Sequence, residues 1–133
     1  MGLGPRTVLI VDDDASLRSS LASVLDTIGY RVLSTGDPEV AYRLLASEPT
    51  DAVLLDVRLP AMSGLALYLG IVHRWPRLKA GIALMTADAD AADVRVWTKR
   101  NPCILIRKPF SLRAITTWLD AATRATDRTA SAG

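Results

Sequence analysis

The sequence contains only one cysteine and one histidine among its 133 residues. The lone Cys103 has no partner for an internal disulfide, which is typical of proteins in a reducing compartment. No pattern of cysteine and histidine suggests a zinc site. Half of the residues are hydrophobic, so we expect a buried apolar core to hold the fold together without cross-links.

Membrane and targeting segments are also lacking. The longest apolar stretch, Leu65 to Val72, is far too short to cross a bilayer. Acidic residues begin at Asp12, unlike a secretory signal peptide, and Arg6 stands where a myristoylation motif needs serine or threonine. We therefore expect a soluble, cytoplasmic protein with no membrane partner.

Charge is unevenly distributed along the chain, although the net charge is only +2. Residues 1–94 contain 8 basic and 12 acidic side chains, whereas residues 95–128 contain 8 basic and 2 acidic ones. The acidic first part suits a cation site. The basic last part suits a docking surface, or is a set of solvated helix faces.

Short apolar runs alternate with segments of helical periodicity. Each of the five predicted strands is followed by a predicted helix, and the first helix ends at Gly29. Asp37 and Pro38 are a favourable cap and first residue for the second helix. The predicted strands are residues 7–11, 31–34, 52–55, 82–85 and 103–106. The predicted helices are residues 17–28, 38–47, 91–99 and 111–125, and one more that follows a loop with Pro60 and Gly64 and ends at about Trp75.

This alternation predicts an α/β fold with a parallel sheet. The runs are apolar throughout, which indicates strands covered by helices on both faces, and right-handed crossovers then produce a doubly wound (βα)5 sandwich. We predict one domain over residues 1–125 and a disordered polar tail over residues 126–133. In such sheets, ligands bind at the carboxyl ends of the strands.

Polar side chains occur at the predicted carboxyl ends of four strands. Asp12 and Asp13 follow the first strand, Asp56 the third and Thr86 the fourth, and Lys108 lies just beyond the fifth. Each alone could cap a helix, bond the backbone or face solvent. Their joint placement at one edge of the sheet instead favours a shared functional site.

The residue types at this edge suggest phosphoryl chemistry. Three close carboxylates repel one another unless a cation lies among them, and hard oxygen ligands with room for water favour Mg²⁺. A carboxylate can attack phosphorus to form an acyl phosphate. A metal ion, the ammonium of Lys108 and the hydroxyl of Thr86 can then stabilise the charge on the phosphoryl oxygens.

Four motifs resemble the receiver domains of bacterial two-component response regulators: Val-Asp-Asp-Asp at 11–14, Leu-Leu-Asp-Val-Arg-Leu-Pro-Ala-Met-Ser-Gly at 54–64, Met-Thr-Ala at 85–87 and Arg-Lys-Pro-Phe at 107–110. The resemblance extends from about Thr7 to Ala125. It implies a flavodoxin-like fold with five parallel strands in the order 2-1-3-4-5. It also implies a regulatory phosphoacceptor domain rather than an enzyme.

The resemblance assigns a role to each residue of the predicted site. Asp56 would accept the phosphoryl group from a sensor histidine kinase or a phosphotransfer protein. Thr86 and Lys108 would contact the phosphoryl oxygens, and Pro109 would follow a cis peptide bond. Asp14 resembles a helix-capping residue rather than a ligand.

By the same resemblance, the cofactor would be Mg²⁺. Asp13 would bind it directly and Asp12 largely through water, and Asp56 and the backbone carbonyl of Arg58 would be further ligands.

The sequence departs from the family pattern near the surface that the family uses for signalling. Asn101 and Pro102 replace a usual Gly-Ala pair, and Leu105 replaces a usual tyrosine or phenylalanine. Thr86 and Leu105 would therefore form the switch pair. We expect the main conformational signal in residues 87–100, and an output partner or a second copy of the chain docked on the fourth and fifth helices.

Four alternative functions each explain part of the sequence. Residues 12–16 also fit the nucleophile motif of haloacid-dehalogenase-type phosphohydrolases, which would place the phosphoryl group on Asp12. Membership of that enzyme class would not explain the motif at residues 54–64. A flavodoxin-like electron carrier is rejected because three aspartates would repel a flavin phosphate. A degenerate receiver that binds partners without phosphorylation stays open. Direct nucleic-acid binding is not expected, because no helix-turn-helix follows the cluster of Arg95, Trp97, Lys99 and Arg100.

Overall fold

A computed structural model of the chain describes residues 5–132, and the side chains of residues 5–124. Five strands alternate with five α-helices, and one short 3₁₀ helix precedes the fourth strand. The strands are β1 (Thr7–Val11), β2 (Arg31–Thr35), β3 (Ala52–Asp56), β4 (Ile82–Thr86) and β5 (Ile104–Arg107). The helices are α1 (Ala15–Thr27), α2 (Pro38–Ser47), α3 (Gly64–Arg74), α4 (Ala92–Arg100) and α5 (Leu112–Ala132), and the 3₁₀ helix is Pro76–Gly81.

The five strands form one parallel sheet in the order β2-β1-β3-β4-β5, as predicted. Asp56 is paired with Met85, and Thr86 is paired with Arg107. This register brings the carboxyl ends of the three neighbouring strands level with one another. The strand ends that carry the predicted site residues therefore lie side by side at one edge of the sheet.

Burial follows the position of each strand in the sheet. Every residue of β1, β3 and β4 is buried, as expected for strands covered on both faces. The edge strands β2 and β5 are partly exposed, because each has a neighbour on one side only. Helices α2, α3 and α4 contribute to one core cluster, and helices α1 and α5 to the other.

The helix starts have local causes in the sequence. The carboxylate of Asp14 accepts a hydrogen bond from the Leu17 N–H at 3.1 Å and so caps α1. Asp37 caps α2 in the same way, and Pro38 is the first helical residue. Gly29 adopts a φ of 104°, a left-handed conformation that favours glycine, and ends the α1 segment. These three features were predicted and are confirmed.

The final helix corrects the predicted tail. We predicted the helix to end at about residue 125 and the chain to be disordered over residues 126–133, whereas α5 continues to Ala132. No glycine or proline occurs between residues 111 and 132, so the sequence holds no strong helix-stop signal there. Gly133 lies outside the described residues.

One smaller feature was not predicted. Residues 77–81, between the predicted third helix and the fourth strand, lie in the 3₁₀ helix, which begins at Pro76, a residue well suited to a first helical turn. Leu112, the first residue of α5, is 37% exposed. None of the helices in the described part of the chain has the length and apolar character needed for a membrane span.

Candidate functional site

The sheet brings the predicted polar side chains together at one edge. Asp12 follows β1, Asp56 is the last residue of β3, and Lys108 follows β5. The Nζ atom of Lys108 lies 2.7 Å from Oδ2 of Asp12 and 3.7 Å from Oδ2 of Asp56. Residues 96 positions apart in the sequence thus form a direct hydrogen bond.

Three carboxylates form the centre of this site. One oxygen from each of Asp12, Asp13 and Asp56 lies within 4.8 Å of the others. Asp12 is fully buried and Asp56 is 5% exposed, while Asp13 faces solvent. Oδ1 of Asp12 accepts the N–H of Asp14 at 2.9 Å, and its Oδ2 accepts Lys108, so both oxygens of this buried group have partners. The open side of the cluster is the side of Asp13.

The environment of Asp56 opposes its negative charge. Burial raises the pKa of the Asp56 carboxyl above its ordinary value, and the charges of Asp12 and Asp13 raise it further. The hydrogen bond from the Arg58 N–H and the positive charge of Lys108 act in the opposite direction. A further cation at this cluster would therefore favour the ionised form of Asp56.

The loop after Asp56 is held close to the carboxylate. The N–H of Arg58 donates to Oδ1 of Asp56 at 3.2 Å, and an isolated antiparallel bridge joins Arg58 to Ser63. The N–H of Gly64 donates to the carbonyl of Val57 at 2.8 Å. A Cβ atom at Gly64 would overlap the backbone carbonyl of Asp56, so only glycine lets α3 begin this close to the site.

Thr86 and Lys108 are tied to each other through the backbone. The carbonyl of Thr86 accepts the N–H of Lys108 at 2.8 Å, and Oγ1 of Thr86 accepts the N–H of Asp88 at 3.0 Å. Thr86 is 1% exposed. Its hydroxyl proton can still donate to an acceptor placed over Asp56. The peptide bond between Lys108 and Pro109 is cis, as the family resemblance implies.

Leu105 lies away from the carboxylates, in β5. It is paired with Leu84 of β4 and is partly buried. Its side chain packs against the core cluster that contains Val94 of α4.

Two arginine–aspartate pairs near the site were not anticipated from the sequence. The guanidinium of Arg58 donates to both carboxylate oxygens of Asp93, at 2.8 and 3.1 Å, and lies 4.0 Å from Asp88. The guanidinium of Arg107 donates to both oxygens of Asp90, at 3.1 and 3.0 Å. The partners are 35 and 17 residues apart in the sequence, so the pairs could not be predicted from the spacing of charged residues along a helix. The only signal was a concentration of opposite charges around the segment after Thr86.

Comparison with known proteins gives one consistent result. The model of the response regulator receiver domain family matches residues 8–120. The "Probable transcriptional regulator ycf27" of Guillardia theta is 33% identical over 123 residues, which cover 92% of this chain and 47% of that protein. The "Probable chemotaxis protein CheY" of Rhizobium etli is 27% identical over 115 residues, which cover 86% of this chain and 89% of that protein.

A solved structure shares the fold. A CheY-like response regulator receiver domain protein from Methanospirillum hungatei superposes with a TM-score of 0.85 at 22% identity, covering 95% of this chain and 99% of that one. The present chain spans about half the length of the transcriptional regulators that it matches. Because the family match covers most of its residues, this chain belongs to the receiver domain family of response regulators.

Proposed function

We propose that this receiver domain accepts a phosphoryl group on Asp56, in a Mg²⁺-dependent reaction, and changes its affinity for a partner as a result. The observation that carries the proposal is the position of Asp56. It is the only one of the three clustered carboxylates that ends a strand, and Lys108 and the carboxylates of Asp12 and Asp13 surround it.

The proposed reaction transfers a phosphoryl group from a histidine nitrogen of the donor to a carboxylate oxygen of Asp56. An oxygen of Asp56 attacks the phosphorus of a phosphohistidine on a sensor kinase or phosphotransfer protein, and an O–P bond forms while the N–P bond breaks. The electron pair of the broken bond stays on the imidazole of the donor. The product is an acyl phosphate on Asp56.

Two side chains of this chain are suited to hold the transferred group. Lys108 is held at 2.7 Å from Asp12, and its ammonium lies 3.7 Å from Asp56, within reach of a phosphoryl oxygen. The hydroxyl of Thr86 is the second donor, from the end of the neighbouring strand. Lys108 is fixed by Asp12 and the hydroxyl of Thr86 by the N–H of Asp88 before the group arrives, which lowers the reorganisation that the transition state requires.

The donor set fits a magnesium ion. All three clustered side chains offer carboxylate oxygens, which are the ligands that Mg²⁺ prefers, and Asp13 is open to solvent, so that water can complete the coordination. We propose Asp13 and Asp56 as direct ligands, Asp12 as a ligand through water, and the backbone carbonyl of Arg58 as a further ligand. When bound, the ion would supply positive charge to the phosphoryl oxygens.

The geometry does not favour the two alternatives that involve other chemistry. A phosphohydrolase of the haloacid-dehalogenase type would need Asp12 as nucleophile, but Asp12 is fully buried and both of its oxygens already accept hydrogen bonds. A degenerate receiver would have lost part of the site, whereas Asp12, Asp13, Asp56, Thr86 and Lys108 all stand at or just beyond the carboxyl ends of their strands.

The decisive experiment is phosphorylation by a small-molecule donor. Acetyl phosphate with Mg²⁺ should add one phosphoryl group, detected by intact-mass spectrometry. Asp56→Asn should remove that addition, whereas the matched change Asp26→Asn, at an exposed position on α1, should leave it unchanged. Labelling of Asp12 in the Asp56→Asn variant would contradict the proposal and favour the phosphohydrolase.

A further inference from the structure

Arg58 links the proposed phosphoacceptor loop to α4. It lies two residues after Asp56, while Asp93 is in the first turn of α4. Its guanidinium donates to both oxygens of Asp93, at 2.8 and 3.1 Å. Such a two-bond pair fixes orientation as well as distance, so the start of α4 is positioned by a side chain from beside the site.

A second pair holds the same segment from the other side. Arg107, the last residue of β5, donates to both oxygens of Asp90 in the segment between β4 and α4. Strands β3 and β5 flank β4 in the sheet. Residues 87–93, which we call the β4–α4 segment, are therefore attached at two points, one on each side of β4.

The two pairs differ in their position relative to Asp56. The backbone N–H of Arg58 donates to Oδ1 of Asp56 at 3.2 Å, so the residue that holds Asp93 also contacts the proposed phosphoacceptor. Arg107 is paired with Thr86 of β4, one strand further from Asp56. A change of charge at Asp56 would therefore act more strongly on Arg58 than on Arg107.

Phosphorylation would alter this balance. An acyl phosphate carries more negative charge than the carboxylate that it replaces, and it offers strong acceptor oxygens that pair well with a guanidinium. The Arg58 and Asp93 side chains are 49% and 57% exposed, so their pairing is screened by water and readily exchanged.

We propose that Arg58 is a charge-operated latch on α4. It holds Asp93 while Asp56 is unmodified, and it turns toward the phosphoryl oxygens once Asp56 is phosphorylated, which releases the first turn of α4. The inference rests on the proposed phosphorylation of Asp56. It gives this chain a route from the site to α4 that does not need an aromatic residue at position 105.

Hydrogen exchange of the backbone amides of residues 91–96 tests the latch in the full chain, with Mg²⁺ and with or without acetyl phosphate. In the unaltered chain, phosphorylation should speed this exchange by about two- to fivefold, the effect expected for loss of one exposed ion pair. Asp93→Asn should show the fast exchange before phosphorylation, with little further increase after it.

Arg107→Met is the matched control, because it removes an equivalent two-bond pair on the same segment. It should speed exchange around Asp90 in both states and preserve the phosphorylation-dependent increase in residues 91–96. Equal increases in the unaltered chain and in Asp93→Asn would overturn the latch.

Intact mass, measured on the same samples, distinguishes failure of Asp56 phosphorylation from failure of the Arg58 latch. A chain that takes up no phosphoryl group contradicts the proposed function and the latch with it. A chain that takes up the group but shows no faster exchange in residues 91–96 contradicts the latch alone.

Discussion

Burial disfavours the negative charge of Asp56. We therefore expect the ionised Asp56, the proposed phosphoacceptor, to lower the free energy of unfolding. Its pKa is higher in the folded chain than in an unfolded one, mainly because of desolvation. Folding is therefore favoured most when Asp56 is protonated, below the ordinary carboxyl pKa, and this stability is lost as the pH rises through the raised folded value.

We accordingly expect Asp56→Asn to raise Tm by a few degrees at neutral pH without Mg²⁺. The gain should shrink as the pH falls toward about 4, where the unaltered carboxyl is also protonated. Thermal unfolding across this range measures both effects, with Asp26→Asn as the exposed control. A lower Tm for Asp56→Asn at neutral pH would show that its charge is already fully compensated.

Lys108 has the opposite effect on the fold, because its ammonium neutralises a buried carboxylate. Oδ2 of Asp12, which is fully buried, accepts Lys108 at 2.7 Å. Lys108→Met should destabilise the chain by about 1–3 kcal/mol, the cost of a buried polar group without its partner. It should also slow phosphorylation by acetyl phosphate.

Chemical denaturation with and without Mg²⁺ measures the stability effect of Lys108→Met. A cation at the carboxylates replaces part of the lost charge, so Mg²⁺ should stabilise Lys108→Met more than the unaltered chain. Lys99→Met, at an exposed position on α4, is the matched control and should respond to Mg²⁺ as the unaltered chain does. Equal stabilisation of all three proteins would contradict the proposed role of Lys108.

At this scale, the sequence could predict the site but not its surroundings. Asp12, Asp56 and Lys108 each follow an apolar run, and the carboxyl ends of parallel strands must meet. The pairing of Arg58 with Asp93 depends instead on side-chain rotamers and on where α4 starts, which no local pattern encodes. For the same reason, the close approach of Gly64 to the carbonyl of Asp56 became visible only in three dimensions.

At the scale of elements, Leu105 tests whether β5 carries the conformational signal. Its partly buried side chain packs against the cluster that contains Val94, and a leucine offers neither a hydroxyl nor a ring edge to a partner. We expect Leu105→Ala to cost about 1–2 kcal/mol, less than a fully buried leucine would. The phosphorylation-induced change in hydrogen exchange of residues 91–96 should stay within a few-fold of its original size.

Denaturant unfolding and the same exchange measurement check this prediction together. Ile104→Ala, next to it on β5 and 48% exposed, is the control and should cost much less stability. A folded, phosphorylated Leu105→Ala chain with no exchange response would make Leu105 the switch.

The elements themselves were largely predictable, and their exceptions have local causes. Strand and helix positions follow from apolar runs and helical spacing, and the predicted starts lie close to those observed, as for α2 at Pro38 and α4 at Ala92. The exceptions are the 3₁₀ helix at Pro76–Gly81 and the length of α5. The 3₁₀ helix is too short for a helical period to appear in the sequence, and α5 continues because no glycine or proline stops it.

At the scale of the whole molecule, the basic last part of the chain bears on self-association. Helix α4 presents Ala92, Arg95, Val96 and Lys99 on one exposed face, in which Val96 is 55% exposed. The described acidic groups on α4 and α5 already have partners: Asp93 pairs with Arg58, and Asp120 accepts the hydroxyl of Tyr30. Among the residues of α4 and α5 whose side chains the structure describes, five are basic and two are acidic. Two copies that met through these helices would therefore bring an excess of basic side chains together.

We expect this charge pattern to keep the chain monomeric at low ionic strength and to favour an acidic output partner over a second copy. Repulsion between like surfaces is screened by salt, with a Debye length of about 10 Å at 0.1 M. Any dimer that forms through α4 and α5 should strengthen as salt is added, driven by burial of Val96, while binding to an acidic partner should weaken. Sedimentation velocity at low and high salt, on unmodified and phosphorylated chain, distinguishes these outcomes.

Replacing Arg95 and Lys99 by glutamine should promote dimerisation at low salt, whereas the same change at Arg43, exposed on α2, should not. A dimer that is strongest at low salt and lost in the Arg95 and Lys99 variants would instead mean that these cations bind acids of the second copy.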